Sequence, residues 1–124
     1  MTNSILIVDD NEDLRKMLAW LLQPRGYETL QAATGKEAIE RAIVAQPSLI
    51  LLDLHLPDMS GVDTARAIKK DQRTAHIPIV GWTAYFGERW REEALHAGMV
   101  AYMEKPLSPP VIEATIKQFI LPIK

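Results

Sequence analysis

The chain has 124 residues, enough for one domain around a single core, with 48% hydrophobic residues, 24% charged residues and a formal net charge of −2. Acids and bases are scattered without a basic patch, which argues against a nucleic-acid surface, and the absence of cysteine excludes a disulfide framework and thiol chemistry. Met1–Ser4 is uncharged and the apolar run Ile5–Val8 stops at Asp9, too short for a signal peptide or a membrane span, so a cytoplasmic chain without membrane insertion is expected.

From there two hydrophobic periods alternate. Ser4–Val8 is a continuous apolar run, as expected of a strand covered on both faces. Leu14, Met17, Leu18, Leu21 and Leu22 recur at helical spacing, and Pro24 and Gly26 close that helix. Glu28–Ala32 is a weaker strand. Thr34 and Glu37 have the spacing of a capping box for a helix that turns Ala38, Ile39, Ala42 and Ile43 inward and is closed by Pro47. Leu49–Leu52 reads as a third strand, fully apolar. After a loop, Val62, Ala65 and Ile68 share one helical face. Ile77–Trp82 is a fourth strand with Pro78 at its entrance. A helix covers roughly Glu88 to Ala97 and stops at Gly98. Val100–Met103 is a fifth strand. The last helix starts at Pro109-Pro110, with Ser108 placed to cap it, and carries Ile112, Thr115, Ile116, Phe119 and Ile120 as its stripe.

Strand and helix thus alternate five times, which implies one α/β domain over residues 1–124: a parallel sheet with helices on both faces. Right-handed crossovers leave few topologies, and a flavodoxin-like, doubly wound sheet of order 2-1-3-4-5 is expected. Ligands bind such sheets outside the carboxyl ends of the strands, where the strand order reverses. At those ends stand Asp9 and Asp10, Asp53, Thr83, and Lys105 followed by Pro106. Crowded carboxylates resist joint ionisation, and a hard cation such as Mg²⁺ relieves the repulsion. An aspartate can also act as a nucleophile and form an acyl phosphate, while Mg²⁺ and a lysine offset the charge of the incoming group and a hydroxyl donates to it. Taken singly, each residue has an ordinary explanation: a solvated or capping Asp, a β-branched Thr packing in a strand, a Lys-Pro turn. Their convergence on one sheet edge is what distinguishes them.

Val8-Asp9-Asp10-Asn11, Asp53-Leu54-His55-Leu56-Pro57-Asp58-Met59-Ser60-Gly61, Thr83-Ala84, Gly98, Tyr102 and Lys105-Pro106 follow one another in an order and spacing that resemble the receiver domains of bacterial two-component response regulators, across nearly the whole chain. With no output domain following, the chain looks most like the single-domain regulators of chemotaxis or phosphorelay. The resemblance implies a phosphoacceptor switch rather than an enzyme, catalysing only its own phosphorylation and slow dephosphorylation. It implies Asp53 as phosphoacceptor. It implies Asp10 as a direct Mg²⁺ ligand, Asp9 as a ligand directly or through water, and Asp53 and the backbone carbonyl of His55 as further ligands. Thr83 and Lys105 would contact the phosphoryl group, Lys105-Pro106 would be a cis peptide, and Tyr102 would be the switch aromatic that moves with Thr83. The implied partners are a sensor histidine kinase or histidine phosphotransfer protein, and a downstream target reading the face made by the fourth helix, fifth strand and fifth helix. No direct nucleic-acid contact is implied, and the chain would be a monomer or a phosphorylation-dependent dimer.

Gly81-Trp82 departs from the aliphatic residues usual before the threonine, and the tryptophan is expected to alter packing beneath the fourth helix. His55 lies beside the site, where it could tune hydrolysis of the phosphoryl group. His76 and His96 read as solvated, and Trp90, in line with Ala94 and Ala97, as half-buried packing. Met17, Met59, Met99 and Met103 read as core or loop fillers. Arg89, Arg91, Glu92 and Glu93 read as a solvated helix face. Two other functions share parts of this pattern. A phosphatase resembling haloacid dehalogenases needs a second Asp two residues after the nucleophile, where His55 stands. A flavin or nucleotide carrier on the same fold needs a Gly-rich phosphate loop after the first strand, where this chain has acids.

Overall fold

A computed structural model describes residues 3–84, 88–105 and 108–120. Strands β1 (Ser4–Val8), β2 (Glu28–Ala32), β3 (Leu49–Asp53), β4 (Ile79–Thr83) and β5 (Ala101–Glu104) alternate with helices α1 (Glu12–Leu22), α2 (Gly35–Ala45), α3 (Gly61–Lys70), α4 (Glu88–His96) and α5 (Pro109–Phe119). All the strand pairings are parallel and the order is β2-β1-β3-β4-β5, a flavodoxin-like sheet as the alternation predicts.

Two cores follow from the two faces of the strands. On one face Leu6, Val8, Ile50, Leu52 and Ile79 pack under Ala38 and Ala42 of α2, Val62, Ala65 and Ile68 of α3, and Ala94 of α4. On the other, Ile5, Ile7, Leu49, Leu51, Val80 and Trp82 pack under Leu18 and Leu22 of α1 and Ile112 and Ile116 of α5. Burying one such Leu or Ile fully contributes about 1.5–3 kcal/mol, so the sandwich is held mainly by these two layers. β3 is buried along its whole length and its last residue, Asp53, inherits that burial. Trp82 faces α1 and α5, not α4 as the sequence suggested, because it is Gly81 that points to the α4 side, against Met99.

Local boundaries differ from the sequence reading for definite reasons. β4 starts at Ile79, since the Ile77 N–H is turned to the carbonyl of Thr74 and Pro78 has no N–H to donate. β5 runs one residue past Met103, to Glu104. Asn11, Thr34 and Ser60 cap α1, α2 and α3, accepting from the N–H groups of Leu14, Glu37 and Asp63 at 3.2, 3.1 and 3.0 Å. The Glu37 carboxylate lies 3.6 Å from Arg41. Ser108 occupies the cap position of α5 but its side chain makes no capping bond; Pro109 and Pro110 carry no N–H, so that end has less to satisfy. Met17 is exposed, not a filler, whereas Met99 and Met103 are buried. Gly98 ends α4 in the left-handed region at φ 98°, and the turn lies against the Lys69 side chain. Among the described residues no helix is long and apolar enough to cross a membrane.

Candidate functional site

The carboxyl edge of the sheet gathers the polar residues that the core excludes. Asp53 ends β3 and pairs in register with Trp82 of β4, which pairs with Met103 of β5. Asp9 follows β1 directly, its N–H held by the carbonyl of Ala32 at 3.1 Å. Asp9 and Asp53 are 1% and 4% exposed, an extreme burial for carboxylates, while Asp10 is exposed. Carboxylate oxygens of Asp9, Asp10 and Asp53 lie within 4.8 Å of one another. Lys105 lies just past β5. Its N–H donates to the carbonyl of Thr83 at 2.7 Å, extending the β4–β5 pairing by one step and setting the start of the side chain. Its ammonium then donates to Asp9 Oδ2 at 2.8 Å and to Asp53 Oδ2 at 3.4 Å. The second oxygens are also met: Asp9 Oδ1 accepts from the Asn11 N–H at 2.8 Å, and Asp53 Oδ1 from the His55 N–H at 3.1 Å.

Burial pushes the Asp53 carboxyl up to about 6, and the negative charge of Asp9 adds to the effect; the His55 N–H and the Lys105 ammonium oppose it without cancelling it. Burial also works against the Lys105 ammonium, but the Asp9 hydrogen bond and the charges of Asp53 and Asp9 outweigh it and raise its pKa. Among the described residues, Lys105 pairs with two of the three carboxylates, Asp9 and Asp53. The donor set is hard oxygen, partly open at Asp10, which fits a hard divalent cation.

Thr83, the buried last residue of β4, pairs with Glu104, and Tyr102 pairs with Gly81. Thr83 and Tyr102 therefore share the sheet face that α4 covers, where Tyr102 is half-buried against the core that includes Ala94 and Ala97. Trp90 also packs there, as its spacing suggested. His55, His76 and His96 are exposed. Pro106 and residues 85–87 lie outside the described residues, so the expected Lys105-Pro106 cis peptide does too.

Three supports of the site were not read from the sequence. The Arg15 guanidinium donates to the Asp9 carbonyl at 2.6 Å and to the Gln31 side chain at 3.2 Å. Asp58, in the loop between β3 and α3, accepts from the N–H groups of Gly35 and Lys36 at 2.8 and 3.0 Å, tying that loop to the start of α2. Gly61 sits where any side chain would collide with the carbonyl of Asp53. Arg15 is one turn into a helix that follows an Asp-Asp pair, which is the only hint the sequence holds of its role. The outer side of the same loop and Trp90 border an open groove of about 480 Å³.

A family model described as the response regulator receiver domain matches residues 5–117. Relatives named polar-differentiation response regulator DivK, from Brucella ovis and Brucella suis, are 38% identical over 120 residues, covering 97% of this chain and 98% of theirs. Among solved structures, the chemotaxis protein CheY4 of Vibrio cholerae superposes with a TM-score of 0.92 at 28% identity, covering 97% of this chain and 100% of that one. The receiver domain of the sensor histidine kinase PA1611 from Pseudomonas aeruginosa, solved with a magnesium ion coordinated in its active-site cleft, gives 0.87 at 28% identity, covering 96% of this chain and 98% of that one.

Proposed function

The chain belongs to the response regulator receiver domain family of two-component signal transduction, and on that premise we propose that it is a phosphoacceptor switch whose acceptor is Asp53. The observation that carries this reading is the position of Asp53: a carboxylate closing a fully buried strand, with an ammonium at one oxygen and a backbone N–H at the other. Burial there removes the water shell that would dull a nucleophile, and the two donors hold its orientation.

The donor is a phosphohistidine on a sensor kinase or phosphotransfer protein. A carboxylate oxygen of Asp53 attacks phosphorus, the P–N bond breaks with its electron pair passing to the imidazole nitrogen, and that nitrogen takes a proton from solvent. Water later attacks the same phosphorus, the acyl P–O bond breaks, and inorganic phosphate leaves with the carboxylate restored. Held by Asp9, Asp10, Asp53 and the backbone carbonyl of His55, Mg²⁺ would supply neutralisation of the phosphoryl oxygens. Lys105 contributes a further positive charge on the Asp53 side, and the Thr83 hydroxyl donates to a phosphoryl oxygen. A charge-assisted hydrogen bond of that kind is worth about 1.5–3 kcal/mol, comparable with the few kcal/mol that separate two conformers of a bistable protein. Tyr102, sharing the α4-covered face with Thr83, follows it, and a target protein reads the altered α4–β5–α5 face. The whole chain, residues 1–124, acts as one receiver domain in the cytoplasm, as a monomer or as a dimer formed on phosphorylation.

Incubation with acetyl phosphate and Mg²⁺, followed by mass spectrometry, tests the assignment. The parent gains one phosphoryl increment that maps to Asp53, and Asp53→Asn gains none. An equal increment in the variant excludes Asp53.

A further inference from the structure

The geometry points to Trp82 as a positioning residue for phosphoryl transfer: its ring holds the Lys105 ammonium against Asp53 when a divalent cation takes up the charge of Asp9. The inference rests on Asp53 being the phosphoacceptor and deepens that reading.

The observations are local and independent of one another. Trp82 is fully buried on the α1–α5 side of the sheet, in register with Asp53. Its Nε1–H points to the carbonyl of Val8 at 3.4 Å, the residue just before Asp9, which fixes the plane of the indole. The Lys105 ammonium stands 4.9 Å from the centre of that ring, within the range where the negative face of an indole attracts a cation. Lys105 is therefore held by two kinds of partner, the carboxylates of Asp9 and Asp53 and the ring beneath it.

These partners respond differently to a dication. The shorter ion pair, 2.8 Å, is to Asp9, and a cation bound by Asp9 draws on the same negative charge. The contact to Asp53 is longer, at 3.4 Å. The indole binds no Mg²⁺, so its hold on the ammonium survives the exchange. An aliphatic side chain at this position would fill less of the core and offer the ammonium no ring face, and a half-buried ammonium that loses Asp9 would swing to solvent. Trp82 thus keeps the lysine where the phosphoryl charge develops.

Fluorination tests this with little change of shape. In a Trp20→Phe, Trp90→Phe background Trp82 is the only indole. Incorporating mono-, di- and tetrafluorinated tryptophan drains the face of the ring step by step while leaving its N–H in place. With acetyl phosphate and saturating Mg²⁺, the rate of Asp53 labelling falls stepwise, about fivefold or more by the last member, while the Mg²⁺ concentration giving half-maximal rate changes less than about twofold. Equal rates across the series overturn the role of Trp82 while the labelling itself upholds Asp53. A parent that takes no label removes the phosphoacceptor reading instead. A second readout needs no phosphorylation. The ε-methylene protons of Lys105 are shifted upfield by the indole ring current and stay shifted when Mg²⁺ is added, and Trp82→Leu abolishes the shift. Loss of the shift on Mg²⁺ addition to the parent overturns the proposal by itself.

Discussion

At the residue scale the site is governed by what burial does to a carboxylate. Asp53 has a folded-state pKa of about 6 against an ordinary value of 3.8. Between those two pH values the folded chain binds more protons than the unfolded one, so the contribution of this group to stability declines as pH rises through that window and is lowest above it. Removing the ionisable group should lift that penalty. In metal-free buffer, Asp53→Asn is expected to be more stable than the parent by on the order of 1–3 kcal/mol at pH 7.5, the two converging below about pH 4. Urea unfolding across that range measures it, and an Asn variant that gains nothing at the higher pH would show that Lys105 fully compensates the buried charge. On the proposed phosphoacceptor reading, the same residue would be costly to the fold and useful to the chemistry.

At the element scale the strands present the clustered polar groups and the loops hold them. The loop between β3 and α3 is fixed at three points: Ser60 caps α3, the Gly61 N–H donates to the carbonyl of Leu54 at 2.9 Å, and Asp58 reaches across to the start of α2. The last contact adds hydrogen bonds where the Met59 side chain of the same loop also lies against Gly35. Both N–H groups of α2 that it satisfies belong to the unpaired first turn, and they hold the Asp58 carboxyl below its ordinary pKa. Its folded pKa being depressed, this contact stabilises the fold above the unfolded value and is lost as pH falls through the folded one. Asp58→Ala should leave the middle of α2 protected from hydrogen exchange while the amides of Gly35 and Lys36 exchange about tenfold faster or more. Unchanged protection at both amides would mean that Asp58 does not hold the loop.

For the whole molecule, the proposed Mg²⁺ site at Asp9, Asp10 and Asp53 would couple stability to a ligand for which only the folded chain gathers the donors. The unfolded chain separates Asp53 from the adjacent pair Asp9-Asp10, so the three-carboxylate cluster, and a cation shared by it, exist only in the folded chain. Adding Mg²⁺ at ten times its dissociation constant should raise stability by about 1.4 kcal/mol, a shift of a few degrees in melting temperature. Asp10→Ala should lose most of this response, and calorimetry with and without Mg²⁺ decides it. A full response in the variant would exclude Asp10 as a ligand. Asp10 suits the test because it is exposed and truncating it opens no core cavity.

The sequence by itself determined the sheet, its strand order and the residues at its carboxyl edge. Hydrophobic period distinguishes strand from helix, and chain crossovers have a fixed hand, so Asp9, Asp53, Thr83 and Lys105 were legible before any coordinates. Strand ends were less so, as Ile77 shows: its hydrophobicity suits a strand, but its N–H is committed to Thr74 in the preceding turn. Only the tertiary structure decided which face each strand-end residue takes and what lies beneath it. Trp82 differs by one position from Gly81, and the two-residue period of a strand sends it to the opposite side of the sheet, under Lys105 rather than under α4. Likewise nothing local in the chain pairs Asp58 with Gly35 or Arg15 with the side chain of Gln31. Such contacts join residues through the packing of distant segments, and periodicity, which acts within one element, carries no information about them.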